Sequence, residues 1–140
     1  MTIEQLLEAY RRTSFLVEIP GETLCIRIDH VSTIPDDLLA NEGVHSWAYI
    51  TAWNPGSVPL SEGENMTQAR QLESEVRQAG YKFFRGQGVG TGDEWPPEPS
   101  LLILGIAAED AMQLGRKFGQ IAIVTGRRGG PAQLDICKSR

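Results

Sequence analysis

The chain has 140 residues, a formal net charge of −5 at pH 7, and hydrophobic and charged contents of 41% and 22%. This length and composition predict one soluble globular domain over residues 1–140, with a core that needs neither disulfides nor a structural metal. The acidic balance argues against nonspecific nucleic-acid binding, and no apolar run reaches the roughly 18 residues that a membrane span needs.

The first 46 residues predict a helix and a β-hairpin that pack on the rest of the chain. Thr2-Ile3-Glu4-Gln5 fits a capping box, which predicts a helix over about residues 2–12. Two β-rich runs, 15–19 and 23–28, flank Pro20-Gly21-Glu22, which is a hairpin signal. The N-terminal stretch has charges throughout and no apolar segment, so no signal peptide is predicted.

Residues 47–53 predict a strand whose two faces differ. One face is largely aromatic and the other is small or aliphatic: Trp47, Tyr49, Thr51 and Trp53 against Ala48, Ile50 and Ala52. Aromatic sheet faces are also used to stack RNA bases. However, the N-terminal helix and hairpin need a surface to cover, so the sequence favours a core role for the aromatic face.

Helices and strands continue through the rest of the chain. Ser61-Glu62-Gly63-Glu64 fits a second capping box and begins a helix that is predicted to run to Ala79. A second helix is predicted from Glu109 to Lys117, with acidic residues in its first turn and basic residues in its last. Strands are predicted at 81–84, 101–104, 121–125 and 133–137, and a long glycine- and acid-rich loop is predicted at 86–99.

Residues 47–125 thus follow the order β-α-β-β-α-β, which predicts an α+β fold with a ferredoxin-like core. Such a core has a mostly antiparallel sheet with both helices on one face, and here an extra C-terminal strand follows it. In this topology the first strand ends, the first helix starts and the 86–99 loop lies at the same end of the sheet. Polar and aromatic residues are therefore expected to converge there: Asn54, Glu64, Asn65, Trp95, Glu98, Arg116 and Gln120.

Several of these residues have a structural and a functional interpretation. Glu64 completes a capping box, or it serves as a general base. Asn65 lies on the buried stripe of its helix, where an amide either bonds a neighbouring loop or binds a ligand. Asn54, beside Pro55, either initiates a turn or binds a ligand. Gln120 precedes a buried strand and either packs there or reads a planar polar group.

The predicted 86–99 loop holds a second set of candidates. Its glycine-rich part, 86–92, resembles a phosphate cradle but lacks the lysine and hydroxyl residue of a P-loop, which favours a flexible lid. Asp93, Glu94 and Glu98 are either solvated or suited to Mg²⁺ binding and acid–base chemistry, and Glu98 directly precedes the central strand. Trp95 is either a hydrophobic plug or a stacking surface.

The sequence assigns no metal site and no cofactor. His30 and His45 lack a cysteine or aspartate at a catalytic or metal-ligating spacing. Cys25 and Cys137 are far apart and are expected to be reduced thiols of a cytoplasmic protein. Arg116 is an ordinary helix-end charge, or it binds the negative part of an anionic ligand.

Spaced motifs cover the second half of the chain: Ala52-Trp53-Asn54-Pro55, Glu64-Asn65, Gly80-Tyr81, Trp95 with Glu98-Pro99-Ser100, Leu104-Gly105-Ile106 and Leu114-Gly115-Arg116-Lys117-Phe118-Gly119-Gln120. Together, over about residues 47–125, they resemble the bacterial domain of unknown function 3293 family. The resemblance implies no activity, but it marks motif positions, namely Asn54, Glu64, Asn65, Glu98 and Gln120. This chain has Ile121 where the family pattern has Asn, and it has Gln68-Ala69 where the pattern has Arg-Asn. If the missing groups take part in chemistry, these departures imply a protein that binds its ligand without turnover.

The first hypothesis is a protein that binds a polar, planar, nucleotide-like ligand through Asn54, Asn65, Glu98 and Gln120, with Trp95 as part of a lid. The second is an enzyme acting on a nucleotide or RNA, with Glu98 or Glu64 as the acid or base and Arg116 stabilising negative charge. The third is a protein-interaction module, such as an antitoxin or phage-defence regulator, that presents the acidic loop to a basic protein partner.

Overall fold

Seven β-strands and four α-helices are formed by the described residues, 2–31, 34–90 and 96–137, of the computed structural model. In chain order they are α1 (Ile3–Arg11), β1 (Ser14–Ile19), β2 (Glu22–Ile26), α2 (Asp36–Asn41), β3 (Ser46–Thr51), α3 (Glu62–Gln78), β4 (Lys82–Val89), β5 (Glu98–Leu104), α4 (Ala108–Lys117), β6 (Ala122–Arg127) and β7 (Gln133–Ile136). A short 3₁₀ turn covers Pro55–Ser57. Within the described ranges, no helix is both long and apolar enough to cross a membrane.

Both predicted capping boxes are present, and they set where α1 and α3 begin. The Thr2 hydroxyl accepts from the Gln5 amide N–H at 3.1 Å, and the Gln5 side chain accepts from the Thr2 N–H at 2.8 Å. Ser61 and Glu64 make the same reciprocal pair, at 3.2 and 3.3 Å. Each box satisfies N–H groups that the first helical turn leaves without partners, so local sequence alone determines both helix starts.

The strands form one sheet in the order β2-β1-β4-β5-β3-β6-β7, and each strand is antiparallel to its neighbours. The predicted hairpin is present, and it packs on the rest of the chain by joining the sheet. β1 pairs with β4, with Phe15 opposite Gly88, so the hairpin extends the sheet. The physical reason is that β4 would otherwise be an open edge with unpaired N–H and C=O groups.

The sheet is curled, because chain segments beside its two edge strands meet. Ile28, which follows β2, forms a bridge with Ala132, which precedes β7. The Asp29 N–H donates to the Ala132 carbonyl at 2.8 Å, and the Ala132 N–H donates to the His30 carbonyl at 2.9 Å. The curvature gives the sheet a concave face that encloses one core and a convex face that carries the other.

The strand β3 divides these two cores as its alternation predicts. Trp47 and Tyr49 are buried in the concave core, together with side chains of β1, β2, β5 and β6. Ala48, Ile50 and Ala52 are buried in the convex core, against α3 and α4. The aromatic face is therefore core and not an open surface for stacking bases.

The predicted loop over 86–99 is wrong at both of its ends. β4 continues to Val89 and β5 begins at Glu98, with Gly86 opposite Ser100 and Gly88 opposite Glu98. The backbone of these two glycines lies in the sheet, so it does not form a phosphate cradle. A Cβ on Gly86 would lie 1.9 Å from the Leu16 carbonyl oxygen, so only glycine permits this approach of β1 to β4. Residues 91–95, with Asp93 and Glu94, lie outside the described residues.

Candidate functional site

A cavity of about 560 Å³ lies on the concave side of the sheet, between the sheet and the N-terminal helix. One wall comes from α1 and the two residues that follow it: Gln5, Leu6, Ala9, Tyr10, Arg12 and Thr13. The opposite wall comes from β3, β5 and β6 and from the turn after β3, with Thr51, Trp53, Asn54, Glu98, Ser100 and Gln120 among its residues. This volume falls within the range of about 300–1,000 Å³ that is typical of small-molecule sites.

The cavity brings together three of the residues that the sequence selected, Asn54, Glu98 and Gln120. Asn65 does not line it but hydrogen-bonds Asn54. Glu64 and Arg116 are exposed and are not among the lining residues. Trp95 falls outside the described residues.

The Asn54–Asn65 pair holds the turn that follows β3. The Asn65 Oδ1 accepts from the Asn54 N–H at 2.8 Å, and the Asn65 Nδ2 donates to the Asn54 Oδ1 at 2.7 Å. Leu60 completes the network, since its N–H donates to the Asn54 Oδ1 at 3.0 Å. Asn54 has φ of 46°, in the left-handed region that asparagine tolerates better than most residues. Asn65 is a buried amide on α3, only 2% exposed, and its role is to position the turn after β3.

Gln120 is 7% exposed, and its amide is fixed by two backbone carbonyls. Its Nε2 donates to the carbonyls of Trp53 and Phe118, each at 3.3 Å. A flipped amide would place an oxygen against both carbonyls, so the hydrogen-bond network determines the orientation. The Oε1 accepts no hydrogen bond from the described residues and remains available as an acceptor.

Tyr10 and Arg12 are cavity residues that the sequence analysis missed. Burial, and secondarily the negative charge of Glu98, raises the pKa of the Tyr10 hydroxyl, so it stays protonated and can donate. It makes no hydrogen bond to the described residues. Arg12 is exposed and forms no ion pair within the described part of the chain. No local signal marks either residue, because Tyr10 in α1 and Arg12 directly after it reach the site only in the folded chain.

Aromatic side chains form the floor of the cavity. The Phe15 and Tyr49 rings meet edge to face with centroids 5.2 Å apart, and the Tyr10 ring stacks on Phe15 at 6.5 Å. Burial raises the pKa of Tyr49, and its hydroxyl donates to the Leu16 carbonyl at 2.8 Å. The half-buried Tyr10 ring is the aromatic surface of the cavity that a ligand can contact, and an apolar ring near oriented amides suits a planar ligand with polar edges. Among the described residues, no group of three or more His, Cys, Asp or Glu side chains is placed to hold a metal ion.

Comparison with known proteins finds one family match. The family model described as "Protein of unknown function (DUF3293)" matches residues 50–123. The matched region contains Asn54, Glu98 and Gln120, whereas the α1 wall of the cavity lies outside it. No curated protein and no solved structure matches the chain.

Proposed function

We propose that this chain, which belongs to the DUF3293 family, binds a small, planar, polar ligand of nucleobase or nucleotide type in the cavity under α1. The observation that carries the proposal is the fixed amide of Gln120, which lies in a cavity wall with its Oε1 available. A ligand that donates to this oxygen bonds a group that the protein already holds in place, so little ordering of the Gln120 side chain opposes binding.

The second amide, Asn54, supports the same ligand class. Its Oδ1 accepts from both Leu60 and Asn65, so its Nδ2 is the end that remains to donate. An acceptor from Gln120 and a donor from Asn54 complement the alternating groups on the edge of a nucleobase. Ala9 and Tyr10, half-buried residues of the α1 wall, supply apolar contact for the face of such a base.

The arrangement of the core agrees with the proposed ferredoxin-like classification. Strands β4-β5-β3-β6 are adjacent in that order, and α3 and α4 both pack against the convex side. Under this proposal the ligand lies on the face opposite these helices, between the sheet and the N-terminal addition.

A panel of nucleobases, nucleosides and nucleotides tested by thermal shift is expected to contain a stabilising compound. A ligand at 100 times its Kd adds about 2.7 kcal/mol to the free energy of unfolding. Ala9→Phe fills the cavity from α1, where Ala9 is only half-buried, and is expected to fold but to lose the shift. Ala108→Phe, at an exposed position of α4 away from the cavity, is the matched control and should keep it. A panel without any stabilising compound, or a shift that survives Ala9→Phe, would contradict the proposal.

One observation also favours an enzyme acting on such a ligand. Glu98 lines the cavity near Tyr10, whereas the Glu64 side chain is used in the α3 capping box. Glu98 is therefore the better candidate for an acid or base. If the protein turns over a nucleotide or RNA, Glu98→Gln is expected to abolish turnover while the melting temperature stays near that of the wild type. Turnover that persists in this variant excludes Glu98 as the acid or base.

A further inference from the structure

The helix α1 is joined to the rest of the protein by few polar bonds. The Arg27 Nη2 donates to the Arg11 carbonyl at 3.5 Å, which is long for a hydrogen bond. Apart from bonds with the residues directly before and after the helix, no other hydrogen bond or ion pair joins α1 to the rest of the described chain. By contrast, Glu73 of α3 accepts two hydrogen bonds from Arg85 of β4, at 2.7 and 2.9 Å.

The apolar packing of α1 is also sparse. Among the residues of α1, all of which the structure describes, Leu6 is the one buried side chain, at 9% exposed, and it belongs to neither of the two cores. The half-buried Tyr10 is the α1 residue that packs against the concave core. In comparison, α3 places Leu72 and Val76 in the convex core, at 2% and 1% exposed.

Two cavities lie against α1, and Leu6 lines both of them. The first is the cavity of about 560 Å³ described above, and the second has a volume of about 260 Å³. The other residues that line the second cavity come from the start of α1 and from the chain on either side of the sheet end: Thr2, Ile3, Gly56, Ser57 and Ile121. Close-packed protein interiors have few voids larger than a water molecule, so the contact between α1 and the sheet is loose compared with either core.

We infer that α1 is a lid that opens as a unit while the sheet stays folded. The opening ends at Thr13, because Ser14 begins β1 and is paired with Val89 of β4. The helix has nine residues, and isolated helices shorter than about 12–15 residues are marginal in water. When α1 leaves the sheet it therefore loses its own backbone hydrogen bonds, and its amides become exposed to solvent.

Opening of α1 removes one wall of the 560 Å³ cavity, since Gln5, Leu6, Ala9 and Tyr10 belong to that wall. Under the proposed function, on which this consequence rests, the lid controls access to the ligand. A ligand that contacts both walls makes all of its contacts only in the closed form, so binding shifts the population toward the closed form. The family match covers residues 50–123, so the lid belongs to the part of the chain outside it.

Hydrogen exchange of the free, full-length protein tests the lid without any ligand. The amides of residues 7–11 in α1 are expected to exchange about 100-fold or more faster than those of residues 69–76 in α3, relative to their intrinsic rates. Leu6→Ala is expected to accelerate exchange in α1 by a further factor of about 10, with exchange in β5 unchanged, because Leu6 anchors only the lid. Equal protection of α1 and α3 would overturn the inference.

Ile103→Val is the complementary variant, since Ile103 of β5 is fully buried in the convex core. This small truncation keeps the fold and is expected to accelerate exchange in β5 by a factor of about 5 through global unfolding, with exchange in α1 unchanged. If α1 accelerated together with β5 in either variant, α1 would open only when the whole protein unfolds, and the lid would be excluded. That result leaves the proposed function standing, whereas a thermal-shift panel without a stabilising compound removes the proposed function and leaves the lid.

Discussion

Gly86→Ala is expected to lower the free energy of unfolding by about 3 kcal/mol, at the upper end of the range for overpacked cores. The new Cβ would lie 1.9 Å from the Leu16 carbonyl oxygen and 3.1 Å from the Tyr49 hydroxyl oxygen. Neither group can yield easily, because the carbonyl belongs to β1 and accepts from that hydroxyl at 2.8 Å. The strands β1 and β4 must separate, which would be measured as a lower midpoint in chemical denaturation.

Gly88→Ala is the matched control, since Gly88 lies two residues further along the same strand and on the same face. The nearest atoms to its Cβ would be Thr13 Cγ2 at 3.6 Å and Phe15 Cδ1 at 3.7 Å, which are ordinary contacts. This variant is expected to change stability by about 1 kcal/mol or less. If Gly86→Ala were as stable as Gly88→Ala, the close approach of β1 to β4 would be refuted.

Asn65→Ala is expected to cost about 3 kcal/mol of stability, because it leaves the Asn54 N–H without its acceptor and opens a void beside α3. The same change should weaken ligand binding, since Asn54 depends on Asn65 for its orientation. Asn41→Ala, at the exposed last residue of α2, is the control and should stay within about 0.5 kcal/mol of the wild type. Equal unfolding free energies for the two variants would show that the Asn54–Asn65 pair does not support the turn.

Asn65→Asp separates the hydrogen-bond effect from the loss of volume. The substitution keeps the Oδ1 acceptor but replaces the Nδ2, which donates to the Asn54 Oδ1 at 2.7 Å, with a second oxygen. Burial and the facing oxygens raise the pKa of the new carboxyl in the folded state, so the folded protein binds its proton more tightly than the unfolded chain. Relative to the wild type, the variant should therefore gain stability as the pH falls from 7 through the raised pKa toward about 4. If the difference in unfolding free energy between Asn65→Asp and the wild type did not change with pH, the hydrogen bond from Asn65 Nδ2 to Asn54 Oδ1 would be contradicted.

The candidate site shows which residues could be selected before folding was known. The sequence singles out three polar residues beside predicted strand ends, Asn54, Glu98 and Gln120. The predicted topology brings these strand ends together, and all three residues line the cavity. Asn65 was selected for its polar character on a buried stripe, and its contacts with Asn54 explain that position. Whether any of the four binds a ligand is a proposal that the thermal shifts above address.

The sequence by itself determined the elements whose causes lie within a few residues. The capping boxes at Thr2 and Ser61 begin α1 and α3, because the bonding partners are three residues apart. The alternation of β3 assigned Trp47 and Tyr49 to one core and Ala48 and Ile50 to the other, because side chains in a strand alternate between faces.

The tertiary structure alone decided what distant segments do to one another. Gly86 is compatible with a loop or a strand, because glycine has no side chain that favours either one. The pairing of β1 with β4, which brings Leu16 and Tyr49 close to Gly86, makes it a strand residue. Tyr10 and Arg12 became cavity residues because the β1–β4 pairing places α1 over the concave face. Such contacts depend on chain segments tens of residues apart, and no local pattern encodes the partner that will arrive.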